Sequence, residues 1–139
     1  MTGQGPPDRL DTYIILRYFV TKMPRRKELP GSLTPAAFQI LLALADEARH
    51  GLGIVDEVEE RTEGATKLGP GTLYGTIKNL REVKFIQEAS EDLRPKGHDP
   101  RRRYYALTLK GREAVSREAQ RMELLVSVAR SKALLDPAD

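Results

Sequence analysis

The side chains able to do chemistry in this chain are mostly cations. It holds two histidines and no cysteine. Disulfides, thiolate zinc sites and cysteine nucleophiles are therefore excluded. Neither His50 nor His98 stands at metal-ligand spacing from a partner, and no nucleophile elbow occurs. The run from Gly64 to Thr72 lacks the Lys-Thr pair that a phosphate-binding loop needs. The expectation is a protein that is not an enzyme and uses no cofactor and no metal. His50 reads as a helix-end hydrogen-bonding residue. What remains is a basic run, with Arg94, Lys96, Arg101, Arg102 and Arg103 set against Asp99 and with His98 among them. Each Lys or Arg that meets a phosphate releases counterions, which gives a log–log salt slope of about −0.9 per contact. The chemistry on offer is capture of a polyanion.

A second stretch gives that capture a possible direction. From Leu68 to Leu80 the chain reads LGPGTLYGTIKNL. Leu73, Ile77 and Leu80 recur at i, i+4 and i+7, so they share one side of a helix. Thr72, Gly75, Lys78 and Asn79 fall on the other side and offer a hydroxyl, a bare backbone, a cation and an amide. Gly69 suits the N-cap, and Pro70 suits the first helical position, where a missing N–H costs nothing. Gly75 costs about 1 kcal/mol relative to Ala in a helix interior. A glycine there makes sense if another backbone must come close.

The flanking elements must position these residues. Thr34 is expected to cap a first helix, with Pro35 at its first position and Leu33 stapled onto Phe38. Phe38, Leu41, Leu42 and Ala45 would form its buried face as far as Asp46 or Glu47. His50-Gly51-Leu52-Gly53 breaks it. A second helix follows, with Ile54, Val55 and Val58 inward and Asp56, Glu57, Glu59, Glu60 and Glu63 outward, and Gly64 ends it. After the third helix, Val83 to Ala89 reads as a strand. Glu91 to Pro100 is a loop, and Arg101 to Leu107 is the return strand. Alternation puts Tyr105 and Leu107 on one side and Tyr104 and Ala106 on the other. Three helices and a hairpin in this order make a winged helix-turn-helix, with the basic run in the wing.

Thr108 is expected to cap a long final helix, from Leu109 to about Leu134. Val115, Ala119, Met122, Leu125 or Val126, Ala129 and Ala133 form an apolar stripe along it. The stripe exceeds what a small winged core can cover. It predicts a partner helix from a second copy with two-fold symmetry, the rival being a tail that folds back on its own core. Ahead of the winged domain, Met1 to Asp8 is rich in Gly and Pro and reads as disordered. Leu10 to Met23 reads as a helix, with a β-strand as rival. Its Tyr13, Tyr18 and Phe19 are expected to join the dimer interface. Pro24 to Gly31 is a basic linker, either solvated or an arm near a polyanion.

Bulk composition agrees with one domain and its appendages. The chain has 139 residues, 40% hydrophobic and 31% charged, with net charge +3 and pI near 9.3. The domain expectation is an arm and linker over 1–31, a winged helix-turn-helix over 32–107, and a dimerisation helix and tail over 108–139. No stretch is apolar and long enough for a membrane span, and no signal-peptide pattern occurs. A cytoplasmic, nucleoid-associated protein is expected, with no membrane partner.

The assembled motifs resemble the PadR family of bacterial transcriptional regulators, from about Leu33 to Leu135. The pieces are Leu33-Thr34, His50-Gly51-Leu52-Gly53-Ile54, Gly69-Pro70-Gly71-Thr72-Leu73-Tyr74 with Leu80, Arg102-Arg103-Tyr104-Tyr105-Ala106-Leu107-Thr108, and Lys110-Gly111-Arg112. Their order and spacing make the signal specific, and the single final helix is similar to the shorter-tailed branch. The resemblance implies a homodimer, a palindromic double-stranded DNA operator and usually repression. Some members sense small aromatic or cationic drugs at the dimer interface, which implies a small-molecule effector here. Two departures stand out: Leu52 replaces a tyrosine, and Lys84 stands where a glycine usually precedes the first wing strand.

The fold class expected is thus mainly α with a small β component. Its parts are a winged helix-turn-helix, an N-terminal helical arm and a long C-terminal dimerisation helix. The expected DNA contacts are Thr72 and Tyr74 to phosphate, Gly75 for close approach, and Lys78 and Asn79 in the major groove. Arg101, Arg102 and Arg103 at the wing base and Lys96 at its tip would meet the backbone or the minor groove. The alternative is a winged-helix module that binds protein and carries a merely solvated wing.

Overall fold

The computed structural model describes residues 33 to 137. The expected arm, with Tyr13, Tyr18 and Phe19, and the basic linker lie outside the described residues.

Helix α1 spans Pro35–Ala43 and opens as the sequence demands. Thr34 Oγ1 accepts the Ala37 N–H at 3.1 Å, and Pro35 fills the first helical position. It ends earlier than Asp46, because the Leu44 N–H turns back onto the Ile40 and Leu41 carbonyls and Arg49 Nε donates to the Ala43 carbonyl at 2.7 Å. Its buried residues are Ala37, Ile40, Leu41 and Ala43, with Leu44 buried at the C-cap. Phe38 and Leu42 are only partly buried, so the apolar phase sits off the expected one by part of a turn. Strand β1, Arg49–His50, is too short to leave any periodicity and was not expected.

Helix α2, Gly51–Arg61, starts at His50, whose Nδ1 accepts the Gly53 N–H at 3.0 Å. Ile54 and Val58 are fully buried, whereas Val55 is half-buried. The left-handed residue after this helix is Glu63, with φ 51°, followed by Gly64 with φ 81°. The Gly64 N–H reaches the Glu59 carbonyl at 2.8 Å and the Glu63 N–H reaches Glu60 at 3.1 Å. The glycine therefore stands one place beyond the position that closes the helix.

Helix α3, Pro70–Glu82, has Gly69 as N-cap and Pro70 at its first position. Leu73, Ile77 and Leu80 are each only 3% exposed. Burial of three such side chains, at about 2 kcal/mol each, pins the helix to the core with one face outward. It closes as α2 does. The Phe85 N–H bonds the Leu80 carbonyl at 2.9 Å, the Lys84 N–H bonds Arg81 at 3.0 Å, and Lys84 takes φ 67°. This cap consumes Val83 to Phe85, so strand β2 is shorter than expected, Ile86–Glu88. Strand β3 is likewise only Tyr104–Leu107, because Arg101 and Arg102 are held in the loop by Asp99.

The sheet is antiparallel in the order β1-β3-β2. Arg49 faces Tyr105 on one side of β3, and Glu88 faces Tyr105 on the other. Tyr105 turns into the main core with Ile40, Leu41, Ile54 and Val58. Tyr104 and Ala106 pack on the opposite face with Ala48 and Ala89. The expected alternation holds, but both faces are buried.

Helix α4, Leu109–Ser131, begins with Thr108 Oγ1 accepting the Gly111 N–H at 3.0 Å. It ends before Leu134, where Ala133 takes φ 62° and the Leu134 N–H reaches the Ala129 carbonyl at 2.9 Å. The start of α4 is bound to the end of α3. The Thr108 hydroxyl donates to the Lys84 carbonyl at 2.6 Å, and Lys110 Nζ donates to the Val83 carbonyl at 3.0 Å. Of the described residues, Leu33–Glu118 form one compact unit, and α4 from Ala119 onward belongs to a second. Val115 is 6% exposed within the core of the first unit. That removes it from the free apolar stripe expected for dimerisation. In the second unit Ala119, Leu125 and Val126 are exposed, and Met122 and Ala129 are half-buried.

Candidate nucleic-acid interface

With its apolar residues committed to the core, α3 leaves Thr72, Tyr74, Gly75, Lys78, Asn79 and Arg81 exposed. Among the described residues nothing requires the glycines on this side. A Cβ added at Gly69, Gly71 or Gly75 would meet no described atom within 4 Å beyond its chain neighbours and its own helix backbone, and none of the three has positive φ. Gly51 differs, since a Cβ there would stand 2.7 Å from the Tyr74 hydroxyl. The His-Gly pair thus gives Tyr74 room to lie over the start of α2, and Tyr74 is still 55% exposed.

The wing is built around Tyr104, a residue only 4% exposed. Its hydroxyl accepts the Asp99 N–H at 3.0 Å. The His50 and His98 rings stand edge-on to it, with centroids 5.3 and 5.6 Å away, and the Arg94 guanidinium lies 5.9 Å from its centroid. His98 also bridges Glu91 and the Pro95 carbonyl, each at 3.2 Å. His50 is held below the usual imidazole range by burial first and by Arg102 second.

Most wing cations are already paired. Asp99 binds Arg101 at 3.1 Å and Arg102 at 3.6 Å, Arg103 reaches Glu88 at 4.0 Å, and Arg94 reaches Glu91 at 3.6 Å. Hydrogen bonds from Arg101 pull the Asp99 carboxyl down to about 2. Within the run from Arg94 to Arg103, Asp99 is the one acidic residue. The register brings Glu88 beside Arg103, and a short 3₁₀ turn, Glu91–Leu93, brings Glu91 beside Arg94. Each pair has at least one exposed member and contributes little to stability, yet together they lower the charge the wing presents. Among the described residues, Lys78, Arg81 and Lys96 make no ion pair. Arg81 was not singled out from sequence, although its place one turn after Lys78 was a readable signal.

Three helices, a basic antiparallel hairpin and an exposed polar third helix define a winged helix-turn-helix. The chain's residues 40–117 match the model of the transcriptional regulator PadR-like family, more than half of its length. The protein belongs to that family. A PadR family transcription regulator from Clostridium difficile has a similar structure. Its TM-score is 0.59 at 22% identity, over 72% of this chain and 99% of that one. A PadR-like transcription factor from Bacteroides fragilis gives 0.51 at 26% identity, over 68% and 86%. RosR of Halobacterium salinarum gives 0.51 at 26%, over 74% and 96%. In sequence, the chain is 38% identical over 90 residues to an uncharacterised 37.1 kDa protein in transposon TN4556 of Streptomyces fradiae. The match covers 65% of this chain but about a quarter of that protein, 24%. Among the described residues no helix is long and apolar enough to cross a membrane, and no group of His, Asp or Glu is placed to hold a metal.

Proposed function

We propose that the chain is a sequence-specific reader of double-stranded DNA and acts as a homodimeric repressor released by a small-molecule effector. The observation that carries the reading is the outward face of α3. It combines glycines that no described neighbour requires with cations that make no ion pair among the described residues. Bare backbone suits close approach to a duplex, and free cations suit phosphate. Thr72 and Tyr74 hold the helix on the backbone, while Lys78 and Asn79 enter the major groove, where Lys suits guanine and Asn suits adenine. Lys96 and the wing arginines meet the flanking backbone. Ala119, Met122, Leu125, Val126 and Ala129 supply the contact between copies, and two-fold pairing of those helices makes the operator palindromic. Membership of a family of transcriptional regulators supports the assignment.

A protein-binding winged module is the second reading. It draws on the pairing of Arg101, Arg102 and Arg103 with Asp99 and Glu88.

Selection of the full-length protein on a random duplex library at about 150 mM salt separates the two. The expected result is an enriched inverted repeat with half-sites about one helical turn apart. Binding without enrichment, lost on adding salt, overturns sequence-specific reading and leaves the protein-binding module.

A further inference from the structure

Beside α3 runs an open cleft of about 470 Å³, lined by Tyr74, Ile77, Lys78, Arg81, Glu82 and Tyr105. Ile77 and Tyr105 belong to the core, so the floor is apolar and rigid. The α3 side carries two cations three residues apart, hence neighbours on the helix surface. Neither cation is paired among the described residues. The decisive group is Tyr105. It is 5% exposed, it lines the cleft, and its hydroxyl makes no hydrogen bond among the described residues. Its neighbour Tyr104 is just as buried and does use its hydroxyl, on the Asp99 N–H. A hydroxyl not committed to the fold, on a residue that lines an open cleft, can donate to whatever occupies that cleft. The occupant is flanked by two cations and lies next to the helix face proposed to meet DNA.

We propose that this cleft seats a backbone phosphate of the operator, with Tyr105 donating its hydroxyl to one phosphate oxygen while Arg81 and Lys78 neutralise the charge. The inference rests on the DNA-reading function above and adds Tyr105 and Arg81 to its machinery. Glu82, at the edge of the same cleft, disfavours any second anion and limits the seat to one phosphate. A contact from a strand residue and a helix residue to one phosphate fixes the angle at which α3 enters the groove. Phosphate contacts position a protein without reading sequence. Losing this one should therefore weaken binding to cognate and non-cognate duplexes alike.

The test uses the full-length protein and the duplex enriched from the random library. Tyr105→Phe removes only a hydroxyl that makes no hydrogen bond among the described residues, so its urea midpoint should match the parent. Its affinity for the enriched duplex should fall about 5- to 20-fold. Arg81→Gln should lower affinity further and flatten the log–log salt dependence by about 0.9 per half-site. Duplexes carrying a single neutral methylphosphonate linkage then locate the seat. At one position per half-site the parent should lose affinity while Tyr105→Phe loses little more. Parental affinity for Tyr105→Phe, or losses that simply add at every linkage, overturns the phosphate seat and leaves DNA reading standing. If inorganic phosphate, at concentrations too low to act as bulk salt, weakens the parent but not Tyr105→Phe, the cleft is a free-anion site and the backbone assignment fails. If the parent enriches no duplex, both the function and the seat fall.

Discussion

Gly111, in the first turn of α4, lies so close to Phe85 that a Cβ on it would stand 1.9 Å from the Phe85 carbonyl oxygen. That carbonyl already accepts the Thr108 N–H at 3.0 Å, so it has little freedom to move. The contact joins the cap of α3 to the start of α4, and any side chain at 111 must push the two apart. Gly111→Ala should destabilise the fold by about 3 kcal/mol, as overpacking against backbone does, despite the gain of about 1 kcal/mol in helix propensity. Urea unfolding followed by circular dichroism reads the difference, and a midpoint at or above the parent's would contradict it.

Gly75 is the opposite case. It is exposed and a Cβ there has open space around it. Gly75→Ala should raise stability by about 1 kcal/mol. The same methyl would stand on the surface proposed to approach DNA, so affinity for the enriched duplex should drop about tenfold, or about 1.4 kcal/mol. A variant that is more stable and binds as tightly as the parent would mean that nothing approaches closely at 75.

The different fates of these glycines mark where the sequence could be read. Periodicity located α1, α2 and α3, and cap chemistry located the starts of α1 at Thr34 and α3 at Gly69, because both signals are local. The cap of α2 at His50 lies inside His50-Gly51-Leu52-Gly53, a run whose glycines read as a break. Helix ends were harder. Three of them close on left-handed residues that are not glycine, namely Glu63, Lys84 and Ala133, so the expected marker was absent or displaced. Strand β1 was missed because two residues carry no pattern. The wing's net charge was misjudged because the Arg103–Glu88 pair depends on register across the hairpin, which local sequence does not specify. Alternation separates Tyr105 from Tyr104 but does not say which faces the main core, and the structure puts Tyr105 there. That its hydroxyl makes no hydrogen bond among the described residues becomes visible only once the neighbours are known.

Lys84 carries the cost of one such substitution. At φ 67° a side chain other than glycine's is strained by about 1–2 kcal/mol, partly offset by the lower entropy of the unfolded chain. Its own side chain is exposed and makes no ion pair among the described residues. Lys84→Gly should therefore stabilise the protein by about 1 kcal/mol, with the urea midpoint rising and the slope unchanged. Lys84→Ala, which keeps the strain, serves as the control and should gain nothing. Equal gains from both variants would place the effect in the lost charge instead of the backbone.

His50 makes the winged unit sensitive to mild acid. In the folded chain its pKa is lowered, first by burial and then by Arg102, while Asp56 and Asp99 only partly oppose them. The unfolded chain, near 6.5, therefore takes up the proton first as pH falls. By linkage, the stability tied to neutral His50 is fully present above about 6.5 and is lost progressively below it. The loss has a local cause as well, because a protonated Nδ1 cannot accept the Gly53 N–H that starts α2. Thermal unfolding of the parent should shift to lower temperature between pH 7.5 and 5. His50→Ser keeps a capping oxygen but does not titrate, so its profile should be flatter over that window. Every other titratable group is common to both proteins and cancels in the comparison. Parallel profiles for parent and variant would overturn the assignment of the acid sensitivity to His50.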